Sequence, residues 1–282
     1  MNQPHLSKII RELERDLGCP IFDRTSRGMI PTVRGEEFLR YAKGIMEQEA
    51  QLDKLCSRNK ECPREIRLCG PRASYISSTL KNFLKEDDRL FTTNVRYKET
   101  NSKDVVRLVS SKEFDLGIVR CQVLYEPFFL KMIQDEHLDS KALWQFSPKV
   151  LMSPSHPLAG KEPLDHLDFS QSVELLQGDI QYPSFTPENT DCVLPDSDPR
   201  HTIYIYDRGS QYEFLRHLPG AYMWTSPVPY STLTEAKLIQ RECTRPDNVF
   251  KDLLVCRSNY RLSKAETELT QWLDRTISQL SD

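Results

Sequence analysis

The stretch that decides the reading is Gln3-Pro4-His5-Leu6-Ser7-Lys8-Ile9-Ile10-Arg11-Glu12-Leu13-Glu14-Arg15-Asp16-Leu17-Gly18. Leu6, Ile9, Ile10, Leu13 and Leu17 recur at three- and four-residue steps, so they share one helical face. Asn2 can cap this helix, Pro4 is tolerated in its first turn, and Gly18 followed by Pro20 ends it. The opposite face carries Ser7, Lys8 and Arg11. Working outward, residues 21–32 read as a short two-stranded wing around Gly28. Phe22 and Ile30 are expected to pack inward and the arginines to face out. Thr32 is placed to cap a longer helix. On that helix Phe38, Ala42, Ile45, Leu52 and Cys56 follow a 4-3 spacing interrupted by Glu49. Such a seam predicts a dimer, or else an amphipathic helix packed on its own domain. Residues 57–63 are polar, end in proline and read as a linker.

Charge divides the chain in the same place. Residues 1–34 hold six basic side chains and four acidic ones, and residues 24–34 hold three arginines and no acid, although the whole chain has a net charge of −3. A basic end on an acidic body fits a nucleic-acid module joined to a sensing body; an ordinary solvated surface gives the same arithmetic. The 282 residues suffice for about two domains. No apolar run approaches membrane-spanning length, and residues 1–5 lack a signal-peptide pattern, so a cytoplasmic protein is expected.

From Ile66 the apolar period changes. Strands are expected at 66–70, 91–97 and 114–119, with helices between them, which is the alternation of a parallel sheet. Residues 149–152 read as another strand and 153–157 as a turn. Residues 181–200 are rich in proline and acid and read as an exposed loop, 201–206 as a strand and 263–279 as a final helix. The fold class is therefore α/β behind a small helical module. The eight cysteines form no C-x-x-C pair and read as reduced thiols, and nothing marks Cys192 or Cys243 as an activated one. Neither the cysteines nor the six histidines have metal-ligand spacing. Nucleophile-elbow, zinc-protease, Walker and dinucleotide patterns are absent, so no enzyme, metal or cofactor is expected.

Gln3-Pro4-His5-Leu6-Ser7, Ile10-Arg11-Glu12-Leu13-Glu14, Leu17-Gly18, Phe22-Asp23-Arg24, Arg27 and Thr32 with Gly35 together closely resemble the LysR-type transcriptional regulators. Asp115-Leu116-Gly117-Ile118 and His156-Pro157-Leu158-Ala159 extend the resemblance more loosely. It implies a partial winged helix-turn-helix over 1–31, a linker helix over 32–58, a hinge over 59–65 and an effector-binding domain over 66–282. That last domain would comprise two α/β subdomains, one of 66–154 with 227–282 and one of 155–226, around a cleft like that of periplasmic binding proteins. The implied partners are promoter DNA, a small-molecule effector and further copies of the chain in a homodimer or homotetramer, with no membrane. Family members place two more helices before this recognition helix. The sequence as it stands is therefore expected to be truncated, to bind DNA poorly, and to serve, on the alternative reading, as a sensing or interaction protein without DNA binding of its own.

The resemblance also distributes roles. Recognition helices present their N-terminal residues to base edges, which puts Gln3, Pro4, His5 and Ser7 at the bases and Lys8 and Arg11 near phosphates. The wing arginines Arg24 and Arg27 suit phosphate or minor-groove contacts; an internal ion pair with Asp23 or Glu14 is the plainer use of Arg24. In the sensing domain, Arg72 and Ser74 begin the helix after the first strand, and Asn101 and Ser102 begin the next. Arg120 follows the third strand, and Arg208 and Ser210 face them from the second subdomain. Helix N-termini there would suit an anionic effector, although Ser74 and Ser102 serve equally as caps and Arg208 could pair with Asp207 or Glu213.

Overall fold

The structure, a computed structural model, describes residues 10, 12–25, 28–56, 64–86, 89–179, 201–244 and 249–281. The chain forms two compact units, Met1–Cys62 and Pro63–Asp282.

In the first unit, helix α1 (12–17) leads to an antiparallel ribbon of β1 (Phe22–Thr25) and β2 (Gly28–Pro31), then to α2 (Val33–Cys56). The Glu14 carboxylate accepts the backbone N–H groups of Ile21 and Phe22 at 2.9 and 3.1 Å, fixing α1 to the ribbon. The Thr32 hydroxyl accepts the Gly35 N–H at 3.0 Å and donates to the Pro20 carbonyl, capping α2 as expected. A Cβ at Gly35 would lie 1.9 Å from the Ile21 carbonyl oxygen, so only glycine permits this approach of helix to ribbon.

Ile21 is the one large apolar side chain fully buried among the described residues of this unit. Ile30 is half exposed, contrary to the expectation that it packs inward. The ribbon is only two strands wide, and the buried part of it is the base at Ile21. Tyr41, Ile45 and Met46 on α2 are also exposed. The side chains of Leu52 and Cys56 lie outside the described residues.

The second unit contains two five-stranded sheets. The first has the order β4 (Thr93–Glu99), β3 (Arg64–Gly70), β5 (Leu116–Gln122), β12 (Phe250–Arg257), β6 (Leu138–Phe146). The second has the order β11 (Ile239–Arg241), β7 (Lys149–Met152), β10 (Ala221–Thr225), β8 (Val173–Gln177), β9 (His201–Ile205). β3, β4 and β5 are parallel, but β12 runs antiparallel to β5 and to β6, so the first sheet is mixed rather than wholly parallel. In the second sheet β8, β9 and β10 are parallel, and β7 is antiparallel to both β10 and β11.

Helices α3 (Ser74–Lys85), α5 (Ser102–Ser110), α6 (Glu126–Asp135) and α9 (Lys264–Ser281) accompany the first sheet, and α7 (Arg208–His217) and α8 (Tyr230–Ala236) the second. Ile66, Leu68, Phe83, Leu116, Ile118, Leu269 and Leu273 form one apolar cluster. Leu151, Leu175, Leu215, Ala221 and Met223 form another, in the second sheet. Each fully buried Leu or Ile contributes roughly 1.5–3 kcal/mol over leaving it in water.

Two expectations need correction. The strand expected at 91–97 begins at Thr93, because Arg89–Thr92 closes a helical turn (α4) that leaves Leu90 and Phe91 exposed. The chain passes between the sheets after β6 and returns before β12, not at 154/155 and 226/227. β7, α8 and β11 therefore belong with the second sheet. The apolar run of β7 suits either sheet, and its pairing with β10 decides the matter.

Candidate effector cleft and nucleic-acid interface

The N-terminal ends of α3 and α7 bring opposite sheets of the second unit into contact. The Arg72 guanidinium, in the turn between β3 and α3, donates to both carboxylate oxygens of Asp179 at 2.6 and 3.0 Å. It also donates to the Tyr206 carbonyl at 2.8 Å. The Ser74 and Tyr212 hydroxyls share a hydrogen bond of 2.7 Å. From α7, Arg208 donates to the Ser77 hydroxyl at 2.9 Å and pairs with Glu99 at 2.8 Å. Glu99 also accepts the Tyr97 hydroxyl at 3.0 Å. Burial, reinforced by the Glu99 charge, pushes the Tyr97 phenol well above its ordinary range and keeps it a donor. Lys81 and Glu235 meet at 3.4 Å on a more exposed part of the same junction. A Cβ at Gly178 would lie 2.4 Å from the Tyr206 ring, so the turn carrying Asp179 passes close beneath that side chain.

The structure brings Arg72, Ser74 and Arg208 to one junction between the sheets, and Arg208 pairs with neither Asp207 nor Glu213. The other expected effector residues have local partners. Asn101 caps α5, its side-chain oxygen accepting the Asp104 N–H at 2.9 Å. The Ser102 hydroxyl donates to the Arg120 carbonyl at 2.6 Å and accepts the Arg120 N–H at 3.0 Å, joining α5 to β5. The Arg120 side chain grips Asp252 on β12 with bonds of 2.8 and 2.7 Å. Asp252 is fully buried and also accepts from Tyr75 at 2.8 Å and Trp144 at 3.2 Å. Burial works against the Arg120 charge, but Asp252 outweighs it and holds the guanidinium above its ordinary pKa. The Ser210 N–H donates to Asp207, which caps α7.

Sequence reasoning did not single out Asp179, Glu99, Ser77 or Tyr212. Glu99 had a signal: it ends a strand with alternating burial, at the same sheet edge as Arg72. Asp179 had none, because its partner is 107 positions away. Cys69 and Cys121 are buried, and burial pushes both thiols up to about 12, so they stay protonated at neutral pH. Among the described residues no group of three His, Cys, Asp or Glu side chains could hold a metal ion. No described helix is long and apolar enough to cross a membrane.

For the nucleic-acid interface, Gln3, Pro4, His5, Ser7, Lys8, Arg11 and Arg27 lie outside the described residues. Arg24 falls on β1, paired in register with Met29.

The first unit is a short ribbon between two helices, and the second holds two five-stranded sheets joined by polar contacts. Two parts of the chain are similar to LysR-family modules. Residues 1–36 match the bacterial regulatory helix-turn-helix protein, lysR family, and residues 89–179 match the LysR substrate binding domain. The regulatory protein NocR of Agrobacterium tumefaciens is 25% identical over 172 residues, covering 60% of this chain and 53% of that one. An uncharacterized HTH-type transcriptional regulator, y4mQ of Sinorhizobium fredii, is 32% identical over 134 residues, covering 40% and 44%. The chain thus spans about half the length of the curated relatives it matches. Among solved structures, a full-length OxyR from Pseudomonas aeruginosa superposes with a TM-score of 0.57 at 16% identity, covering 100% of this chain and 87% of that one. A full-length BenM mutant gives 0.52 at 18%, covering 99% and 89%. At these identities the likeness is one of fold.

Proposed function

We propose that the chain is a DNA-binding transcriptional regulator, not an enzyme, whose promoter binding is modulated by a small-molecule effector held between the two sheets. The observation that carries this reading is the cleft itself. Two arginines, two carboxylates and three hydroxyl-bearing side chains converge there from opposite sheets. A ligand bound among them changes how the sheets are held, and it shifts DNA binding to the extent that its affinity differs between the two arrangements. Gln3, Pro4, His5 and Ser7 read bases, and Lys8, Arg11, Arg24 and Arg27 hold phosphates. Arg72, Ser74 and Arg208 form the effector contacts, with Asn101, Ser102, Arg120 and Ser210 behind them as supports.

The regulator works in the cytoplasm as a homodimer or homotetramer. Exposed Tyr41, Ile45 and Met46 on α2 support self-association. The test is selection of bound duplexes from a randomised DNA pool, followed by anisotropy titrations of the winner at several salt concentrations. A log–log salt slope that flattens in Arg24→Ala and Arg27→Ala supports the reading, and a chain that enriches no sequence sinks it.

A further inference from the structure

The Arg72 side chain is 9% exposed and its two terminal nitrogens are taken by one carboxylate, Asp179, supplied by the opposite sheet. This planar, two-bond grip is the geometry a guanidinium uses for any carboxylate, free or tethered. We propose that Asp179 stands in for the effector at Arg72, so that the effector is a small carboxylate that binds by displacing it. The proposal rests on the effector-cleft reading above and names its ligand class.

A second observation lies on the helix that faces Arg72 from the other sheet. Gln211 is 2% exposed, and its side-chain nitrogen has no hydrogen-bond partner. It stands on α7 three residues after Arg208 and one before Tyr212, the two side chains of that helix that bond to α3. A buried N–H donor without an acceptor is costly, and a carboxylate arriving at this junction brings acceptors for it.

The position of Asp179 fits displacement. It lies just beyond the end of β8, and its carboxylate is 26% exposed, so it has a route to water once Arg72 releases it. Asp252, by contrast, is fully buried and holds Arg120 from the neighbouring strand of the same sheet. A free carboxylate must compete with the tethered one, so its apparent affinity is reduced by the fraction of molecules in which Arg72 is open.

The experiment follows tryptophan fluorescence of the full chain, without DNA, at constant ionic strength. Acetate, succinate and benzoate are titrated beside their neutral amides. Asp179→Asn and Asp179→Ser should each bind at least one carboxylate about tenfold more tightly than the wild type, with amide binding unchanged. Adding Arg72→Gln should abolish the gain. Equal carboxylate affinity in wild type and both variants, no carboxylate binding to either variant, an equal gain for amides, or a gain that survives Arg72→Gln each overturns the proposal. Failure to bind DNA leaves these outcomes standing and counts against the regulator reading alone.

Discussion

Arg120 and Arg72 each hold one carboxylate with two short hydrogen bonds, yet the two pairs sit in opposite mechanical situations. Arg120 and Asp252 face each other across neighbouring strands, β5 and β12, whose ladder fixes their separation. Tyr75 and Trp144 add two donors to Asp252, and the guanidinium lies 4.8 Å from the Phe146 ring centre. Arg72 and Asp179 belong to different sheets, with no ladder between them. The first pair is part of how one sheet is built. The second is a contact between two bodies, and such a contact can be remade with a different partner. Similar hydrogen-bond chemistry therefore gives a permanent joint in one place and an exchangeable one in the other.

The largest expected effect breaks the permanent joint. Asp252→Asn leaves a buried guanidinium without its countercharge and should cost about 3–5 kcal/mol, read as a lower urea midpoint. A loss under about 1 kcal/mol would place Arg120 among the exchangeable contacts and end the distinction. Asn101→Ala removes the cap that starts α5 and should cost about 1 kcal/mol in the same measurement. Because the cap lies at the strand ends that meet the cleft, an unchanged midpoint would mean that water replaces it at no cost.

Arg208→Ala severs a cross-sheet contact and should cost less, about 1 kcal/mol or below, since both partners are about one fifth exposed. Its signature is local. Hydrogen exchange should quicken in β4 near Tyr97–Glu99 and at the start of α7, while β5 and β12 keep their protection. Equal quickening in β5 and β12 would show that the cleft contacts hold the first sheet together.

The same division explains what the sequence disclosed. The ribbon, the Thr32 cap, and helices α3, α5 and α9 were legible because their signals are local: spacing, caps and glycine stops. Arg72, Ser74 and Arg208 were singled out because they lie where a strand gives way to a helix. Arg120 was expected just after the third strand but lies within β5, and its commitment to Asp252 depends on β12, 132 positions away. Asp179 was hidden for the same reason. β7 was found as a strand and assigned to the wrong subdomain, because an apolar run of four residues carries no information about which sheet it joins. Ile30 was expected inside because alternation marks a face without showing whether anything covers it.

The smallest expected effect is a slope with pH, and it extends the comparison to a buried polar group without a countercharge. His156 follows β7, is 4% exposed, and its Nδ1 accepts the Leu158 N–H at 3.1 Å. Its neutral ring lies 5.9 Å from Phe169, centre to centre. Burial lowers its pKa below 6.5, with a smaller opposing pull from the Gly220 backbone. The folded state therefore takes up its proton at a lower pH than the unfolded state does. The stabilisation is fully present above the unfolded value of about 6.5 and declines as pH falls from there to the folded pKa. Protonation at Nδ1 would also cost the bond from Leu158. The Tm should accordingly hold steady above pH 7 and drop as pH falls below about 6.5, and His156→Asn should remove part of that drop. An undiminished drop in the variant would assign the slope to other groups and leave His156 as a packing residue.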